Sequence, residues 1–212
     1  MKLGLLASGR GSNVQAILDA AAAGRLGGAE PAVVIANVAG AAVLERARAA
    51  GVPGRTIAHP GFARREDFEA ALVEALGEYG VEWVVLAGFL RLLGARFLGA
   101  FPGRVINIHP SLLPAFPGIR AQAQALAAGV KVSGCTVHFV DEGLDTGPII
   151  AQAAVPVLEE DDEATLSARI LGEEHRLLPE VLRWIAEGRV VREGRRVRVR
   201  PLGGSPGGSE AR

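Results

Sequence analysis

Short apolar runs alternate with segments whose apolar residues recur every three or four positions, over roughly the first 130 positions of the chain. Leu3 to Ala7 reads as a strand, followed by the tight glycine loop Ser8-Gly9-Arg10-Gly11-Ser12-Asn13. Val14, Ile17 and Leu18 then return at helical spacing among alanines. Ala32 to Ala36 reads as a second strand, and Ala41 to Ala50 as a helix stopped by Gly51, with Pro53 just beyond. Phe68, Leu72, Ala75 and Leu76 line one face of a third helix. Val81 to Ala87 is almost continuously apolar, the pattern of a strand covered on both faces. Leu92 to Leu98 predicts a short helix, Val105 to His109 a strand, and Arg120 to Ala128 a helix ended by Gly129. Strand and helix in alternation predict an α/β fold: a doubly wound, mostly parallel, open sheet of Rossmann-like form.

The pattern changes after residue 130. Val132 to Val140 and Pro148 to Val157 are extended runs joined by a short acidic loop, which predicts an antiparallel pair at one edge in the C-terminal half. A long helix follows, its stripe formed by Leu166, Ile170, Leu177, Leu178, Val181, Leu182 and Ile185, with Pro179 expected to bend it. Beyond Gly188 a Val/Arg hairpin leads into residues 203–208, which are glycine-rich and expected to be disordered. The predicted organisation is therefore one domain over 1–188 and a C-terminal extension over 189–212.

Composition narrows the classes. With 212 residues, 49% of them hydrophobic, the chain can bury a full core. A formal net charge of zero removes the electrostatic case for nucleic acid, and no apolar run is long enough for a membrane span. A single cysteine, Cys135, excludes an internal disulfide framework and cysteine-based zinc sites. A cytoplasmic protein, monomeric or homodimeric, is the expectation.

The candidate chemistry gathers at strand ends. Asn107 and His109 alternate onto one side of a β-branched strand that Pro110 terminates, so both can face one pocket. The alternative is that they satisfy loop backbone groups. The glycine loop is a weak dinucleotide fingerprint: Val14 stands where the third glycine would fall, and Asn37 where an acid would end the second strand. Gly11, Ser12 and Asn13 at a helix start instead suit a single phosphate, with helix capping by Ser12 as the plain alternative. Loops 87–91 and 107–117 should converge on the same crevice, and the Asp141–Gly147 loop should bring a carboxylate near His109. Ser111, two residues past His109, leaves an acyl-enzyme open, although it lacks a nucleophile elbow. His138, inside an apolar run, reads as a supporting residue. No spacing suggests a metal.

These residues carry a likeness. Ser8-Gly9-x-Gly11-Ser12-Asn13, Val84 to Arg91, Asn107-Ile108-His109-Pro110-Ser111-Leu112-Leu113-Pro114, Val137 to Val140, Asp145-x-Gly147-Pro148-Ile149 and Glu174-His175 together resemble the phosphoribosylglycinamide formyltransferases, folate-dependent enzymes of purine synthesis, to about Gly188. The resemblance implies formyl transfer from 10-formyltetrahydrofolate to the primary amine of 5'-phosphoribosylglycinamide, without a metal. It implies a phosphate-substrate half over 1–100 and a folate and catalytic half over 101–188. Gly11, Ser12 and Asn13 would hold the phosphate, Glu174 the ribose hydroxyls, and the Leu90 backbone the amine. Folate would lie against Arg65, Leu90, Arg91, Leu92, Leu93, Asn107 and the loop Asp141, Glu142, Gly143, Leu144 and Asp145. The Leu113–Pro114 bond is commonly cis in this family. One departure stands out: Arg120 replaces a histidine common near the catalytic cluster, and it would tether Asp145 or a loop glutamate, or face solvent.

For that reaction, Asn107 and protonated His109 would stabilise the developing oxyanion, and Asp145 would favour the cation and handle the amine proton. A deformylase would use water in place of the amine on the same fold. Its relatives usually carry an N-terminal regulatory domain, and the methionyl-tRNA branch a C-terminal one. A nicotinamide-dependent oxidoreductase is the more distant reading.

Overall fold

The structure, a computed structural model, describes residues 1–202. Five strands alternate with helices in the first part of the chain. They are β1 (Lys2–Ala7), β2 (Glu30–Ala36), β3 (Gly54–Thr56), β4 (Trp83–Leu86) and β5 (Val105–His109). The intervening helices are α1 (Ser12–Ala22), α2 (Val43–Ala49), α3 (Arg65–Glu78) and α4 (Ala95–Ala100). Then come α5 (Ala121–Ala127), β6 (Val132–Phe139), β7 (Ile149–Pro156) and the 24-residue α6 (Glu163–Ala186). A hairpin of β8 (Val190–Glu193) and β9 (Arg196–Val199) forms a second sheet.

The main sheet has seven strands in the order β3-β2-β1-β4-β5-β6-β7. Pairs from β3 through β5 are parallel, whereas β5–β6 and β6–β7 are antiparallel, as the run lengths and the acidic loop predicted. The chain winds outward from β1 in one direction and resumes at β4 in the other. The crevice beyond the carboxyl ends of β1 and β4 is therefore the switch point where such sheets bind ligands.

Alternating side chains build two cores. Leu3, Leu5, Val34, Val85 and Ile106 face α1 and α6 through Val14, Ile17, Leu166, Ile170 and Leu178. Leu6, Val33, Ile35, Val84 and Val105 face Phe68, Leu72, Leu76 and Phe97. Asn107 and His109 share the parity of Val105, but they lie at the end of β5, where the cleft opens. The Leu76 side chain from α3 packs so closely over β1 that a Cβ at Gly4 would collide with it.

Several boundaries differ from the sequence expectation. The fourth helix starts at Ala95 rather than Leu92, because Gly88 turns at φ 76° and Gly94 is held extended, its N–H bonded to buried Glu69 at 2.7 Å. Leu90 and Leu92 consequently stand exposed on an irregular loop. Strand β3 was not foreseen, since three mostly exposed residues carry no periodicity. Helix α6 runs unbroken through buried Pro179. The Leu113–Pro114 peptide is cis. The expectation of disorder at 203–208 lies outside the described residues.

Candidate active site

A cleft of about 1120 Å³ opens at the switch point. Its wall includes Ser12 and Asn13 from α1, the 88–93 loop, Asn107 to Pro110, the segment around Arg120, the 141–145 loop, and Glu174 from α6. The loops expected to converge there do so.

Asn107, His109 and Asp145 meet at its floor. His109 is buried, and its Nδ1 lies 3.3 Å from Asp145 Oδ2. Its Nε2 is 2.9 Å from the Phe116 carbonyl, which can only accept, so Nε2 carries a hydrogen. Asp145 Oδ2 also accepts the Gly118 N–H at 2.8 Å. Asp145 itself sits at φ 55°, a conformation that aims its carboxylate inward from the loop. Asp141 shapes that loop by accepting from the Gly143 N–H at 3.1 Å and the Thr146 hydroxyl at 2.6 Å.

His138 belongs to this cluster more closely than its apolar sequence neighbours suggested. Antiparallel register puts it directly opposite Asn107. Its Nδ1 donates to the Phe139 carbonyl at 2.9 Å, so its Nε2 lone pair accepts from Asn107 Nδ2 at 3.2 Å. Burial holds the His138 pKa below that of a free imidazole, partly opposed by that carbonyl bond and by Asp145, which keeps the accepting tautomer. The second Asn107 N–H points at Asp145 Oδ1, a long contact of 3.4 Å. Strand register is what brings His138 here, and neither run announces it; the backbone groups of Phe116 and Gly118 left no sequence signal either.

At the other end of the cleft, Gly11 caps α1 at φ 71°, and a Cβ there would collide with Val43. Ser12 is the first helical residue and makes no capping bond, which removes the plain alternative for it. The first-turn N–H groups have no intrahelical acceptor, and the helix dipole adds to their pull on an anion. The Asn13 side chain turns toward α6: its Nδ2 donates to Glu174 Oε2 at 2.9 Å, and its buried Oδ1 has no partner among the described residues. Asn13 Oδ1 and Glu174 form an acceptor pair suited to hydroxyl or amine donors, beside the anion-suited backbone of the α1 start. Glu174 is buried, and desolvation raises its pKa, with the Asn13 bond opposing.

Leu90 is exposed at the mouth, and its N–H is taken by the Ser8 hydroxyl at 2.8 Å. Arg91, Leu92, Leu93, Gly143 and Leu144 line the cleft as expected. Glu142 is exposed and does not line it, whereas Arg65 lines a neighbouring 440 Å³ cavity with His59, Phe62 and the same Leu90–Leu92 loop. Arg120 tethers neither Asp145 nor a glutamate of the 141–147 loop. Its guanidinium reaches Glu163 at the start of α6, at 2.9 Å. The Ser111 hydroxyl is buried and donates to the Ala115 carbonyl at 2.6 Å, so it staples the proline turn rather than offering a nucleophile. Among the described residues no group of three or more His, Cys, Asp or Glu side chains could hold a metal ion, and no helix is long and apolar enough to cross a membrane.

Residues 1–182 match the family model described as formyl transferase. A phosphoribosylglycinamide formyltransferase of Escherichia coli (strain K12) is 44% identical over 190 residues, covering 90% of this chain and 89% of that protein. The trifunctional purine biosynthetic protein adenosine-3 of Drosophila pseudoobscura pseudoobscura is 50% identical over 188 residues, 88% of this chain, and this chain spans only 14% of its length. Among solved structures, the glycinamide ribonucleotide transformylase 1 from Symbiobacterium toebii superposes with a TM-score of 0.92 at 57% identity, covering 94% of this chain and 93% of that one.

Proposed function

We propose a reaction from the premise that this chain belongs to the formyl transferase family: it moves the formyl group of 10-formyltetrahydrofolate onto the primary amine of 5'-phosphoribosylglycinamide. The observation that carries the reading is one continuous cleft holding an anion-suited helix start at one end and the Asn107–His109–Asp145 cluster at the other.

The phosphate is held by Ser12 and the first-turn N–H groups of α1. Asn13 Oδ1 and Glu174 accept from the ribose hydroxyls. The Leu90 N–H is already bonded to Ser8, so its carbonyl is the group left to orient the amine. Folate lies between the 90–93 loop and the 141–145 loop. Held this way, the amine meets the formyl carbon as one intramolecular partner meets another.

Attack of the amine on that carbon opens the carbonyl and puts negative charge on its oxygen. In the resting site the donors this oxygen needs make long contacts to Asp145: Asn107 Nδ2 at 3.4 Å and His109 Nδ1 at 3.3 Å. As Asp145 accepts the proton shed by the attacking nitrogen, its charge falls and both donors are freed for the oxyanion. The oxyanion then collapses, the bond to the folate nitrogen breaks, and that nitrogen leaves protonated. One proton leaves the amine and one reaches the folate, so the step balances.

Hydrolysis by water is the second reading. The anion-suited start of α1 at Ser12 favours the amine substrate, because attack by water needs no phosphate seat. Incubation with 10-formyltetrahydrofolate, with and without phosphoribosylglycinamide, decides between them. Tetrahydrofolate is expected only when the amine is supplied; equal release without it would establish the hydrolase.

A further inference from the structure

One segment touches both members of the His109–Asp145 pair through its backbone. The Phe116 carbonyl accepts from His109 Nε2 at 2.9 Å, and the Gly118 N–H donates to Asp145 Oδ2 at 2.8 Å. This arch begins and ends on non-glycine residues in the left-handed region, Phe116 at φ 54° and Arg120 at φ 55°. L side chains disfavour that region, so contacts outside the arch must hold it. Gln124, one turn into α5, supplies the inner tie: its Nε2 donates to the carbonyls of Pro117 at 3.1 Å and Ile119 at 2.9 Å. The Arg120–Glu163 pair supplies an outer tie to α6, at 2.9 Å. Gln124 does not line the cleft.

We propose that Gln124 is a positioning residue for the reaction. By holding two carbonyls of the arch, its amide fixes where the Phe116 carbonyl and Gly118 N–H meet the catalytic pair. Among the described residues the remaining polar groups on that pair are Asn107 and His138, both from strands, so the arch is the one described loop other than Asp145's own that aligns it. Displacing it changes the direction of His109 Nε2–H and of the Asp145 carboxylate, while the phosphate and ribose contacts on α1 and α6 stay in place.

The inference rests on the catalytic reading of His109 and Asp145, and two measurements separate the two ideas. Gln124→Met removes the donor at similar size, and Gln124→Lys restores one. Gln124→Met is expected to lower kcat about 10- to 100-fold, with KM for phosphoribosylglycinamide within about twofold and with Gln124→Lys recovering most of the loss. The nitrogen-15 shifts of the His109 ring, recorded without substrate, should lose the signature of a bonded Nε2–H in Gln124→Met and regain it in Gln124→Lys. Unchanged kcat and unchanged ring shifts in a folded Gln124→Met would overturn the proposal, as would a lower Tm with both of those intact. If the wild-type protein transfers no formyl group, the assigned reaction fails while the ring shifts still decide the role of Gln124. Should Gln124→Met not fold, Glu163→Gln loosens the outer tie, and the same direction in kcat and ring shift is required of it.

Discussion

Asp145 is the residue on which the proposed chemistry turns, because three nitrogens converge on its two oxygens: Gly118 N, His109 Nδ1 and Asn107 Nδ2. Asp145→Asn keeps the shape but cannot take a proton. Turnover is expected to fall about 100- to 10,000-fold, with little change in substrate KM, as steady-state kinetics would read. Turnover at the wild-type level would remove Asp145 from the mechanism. Ser12 has the opposite signature. Its hydroxyl faces the cleft without a capping duty, so Ser12→Ala should raise KM for the phosphorylated amine about tenfold and spare kcat. A KM that stays put would take the phosphate elsewhere. Asn107 and His109 were legible in the sequence because a strand alternates and Pro110 ends it. The partner of Asn107 on β6 was not, since register is a property of two strands and neither run announces it.

Helices α1 and α6 meet through a buried polar pair, Asn13 and Glu174, in an otherwise apolar contact. Desolvation raises the Glu174 pKa above its ordinary 4.5. A raised carboxyl favours the folded state at low pH, and that advantage is lost as pH climbs through the folded value. At neutral pH burial of this carboxyl therefore costs stability. Glu174→Gln should raise Tm by about 2–6 °C near pH 7. It should also raise KM for the phosphorylated amine about tenfold, because a neutral acceptor replaces a charged one at the ribose. Differential scanning calorimetry beside initial rates checks both, and a lower Tm would contradict the electrostatic account. The stripe of α6 was plain in the sequence through Leu166, Ile170, Leu178 and Leu182, and Glu174 interrupts it, four residues from both Ile170 and Leu178, but its role in the site was placed by family likeness alone. A carboxylate between Glu173 and His175 looks solvated until another helix is seen to cover it.

Two imidazoles tie the stability of the whole molecule to pH. Burial is the first cause lowering the pKa of both His138 and His175, below the ordinary 6.5. The unfolded chain takes up protons near 6.5 that the folded one refuses, so stability should decline as pH falls through that value. In a Glu174→Gln background, where the opposing carboxyl is absent, urea midpoints between about pH 7.5 and 5.5 should drop, and adding His175→Gln should shrink the drop. An equal drop in the variant would assign it elsewhere. Order along the chain determined the α/β class, the parallel run from β1 to β5, the antiparallel turn at the C-terminal edge and the polar strand ends, because periodicity and prolines act within a few residues of one another. Tertiary structure alone decided that the Asn13 amide donates to Glu174, that Arg120 reaches Glu163, and that the 116–120 arch grips His109 and Asp145. Those contacts join groups from separate loops and helices, and their distances are fixed only when the two cores have packed on either side of the sheet.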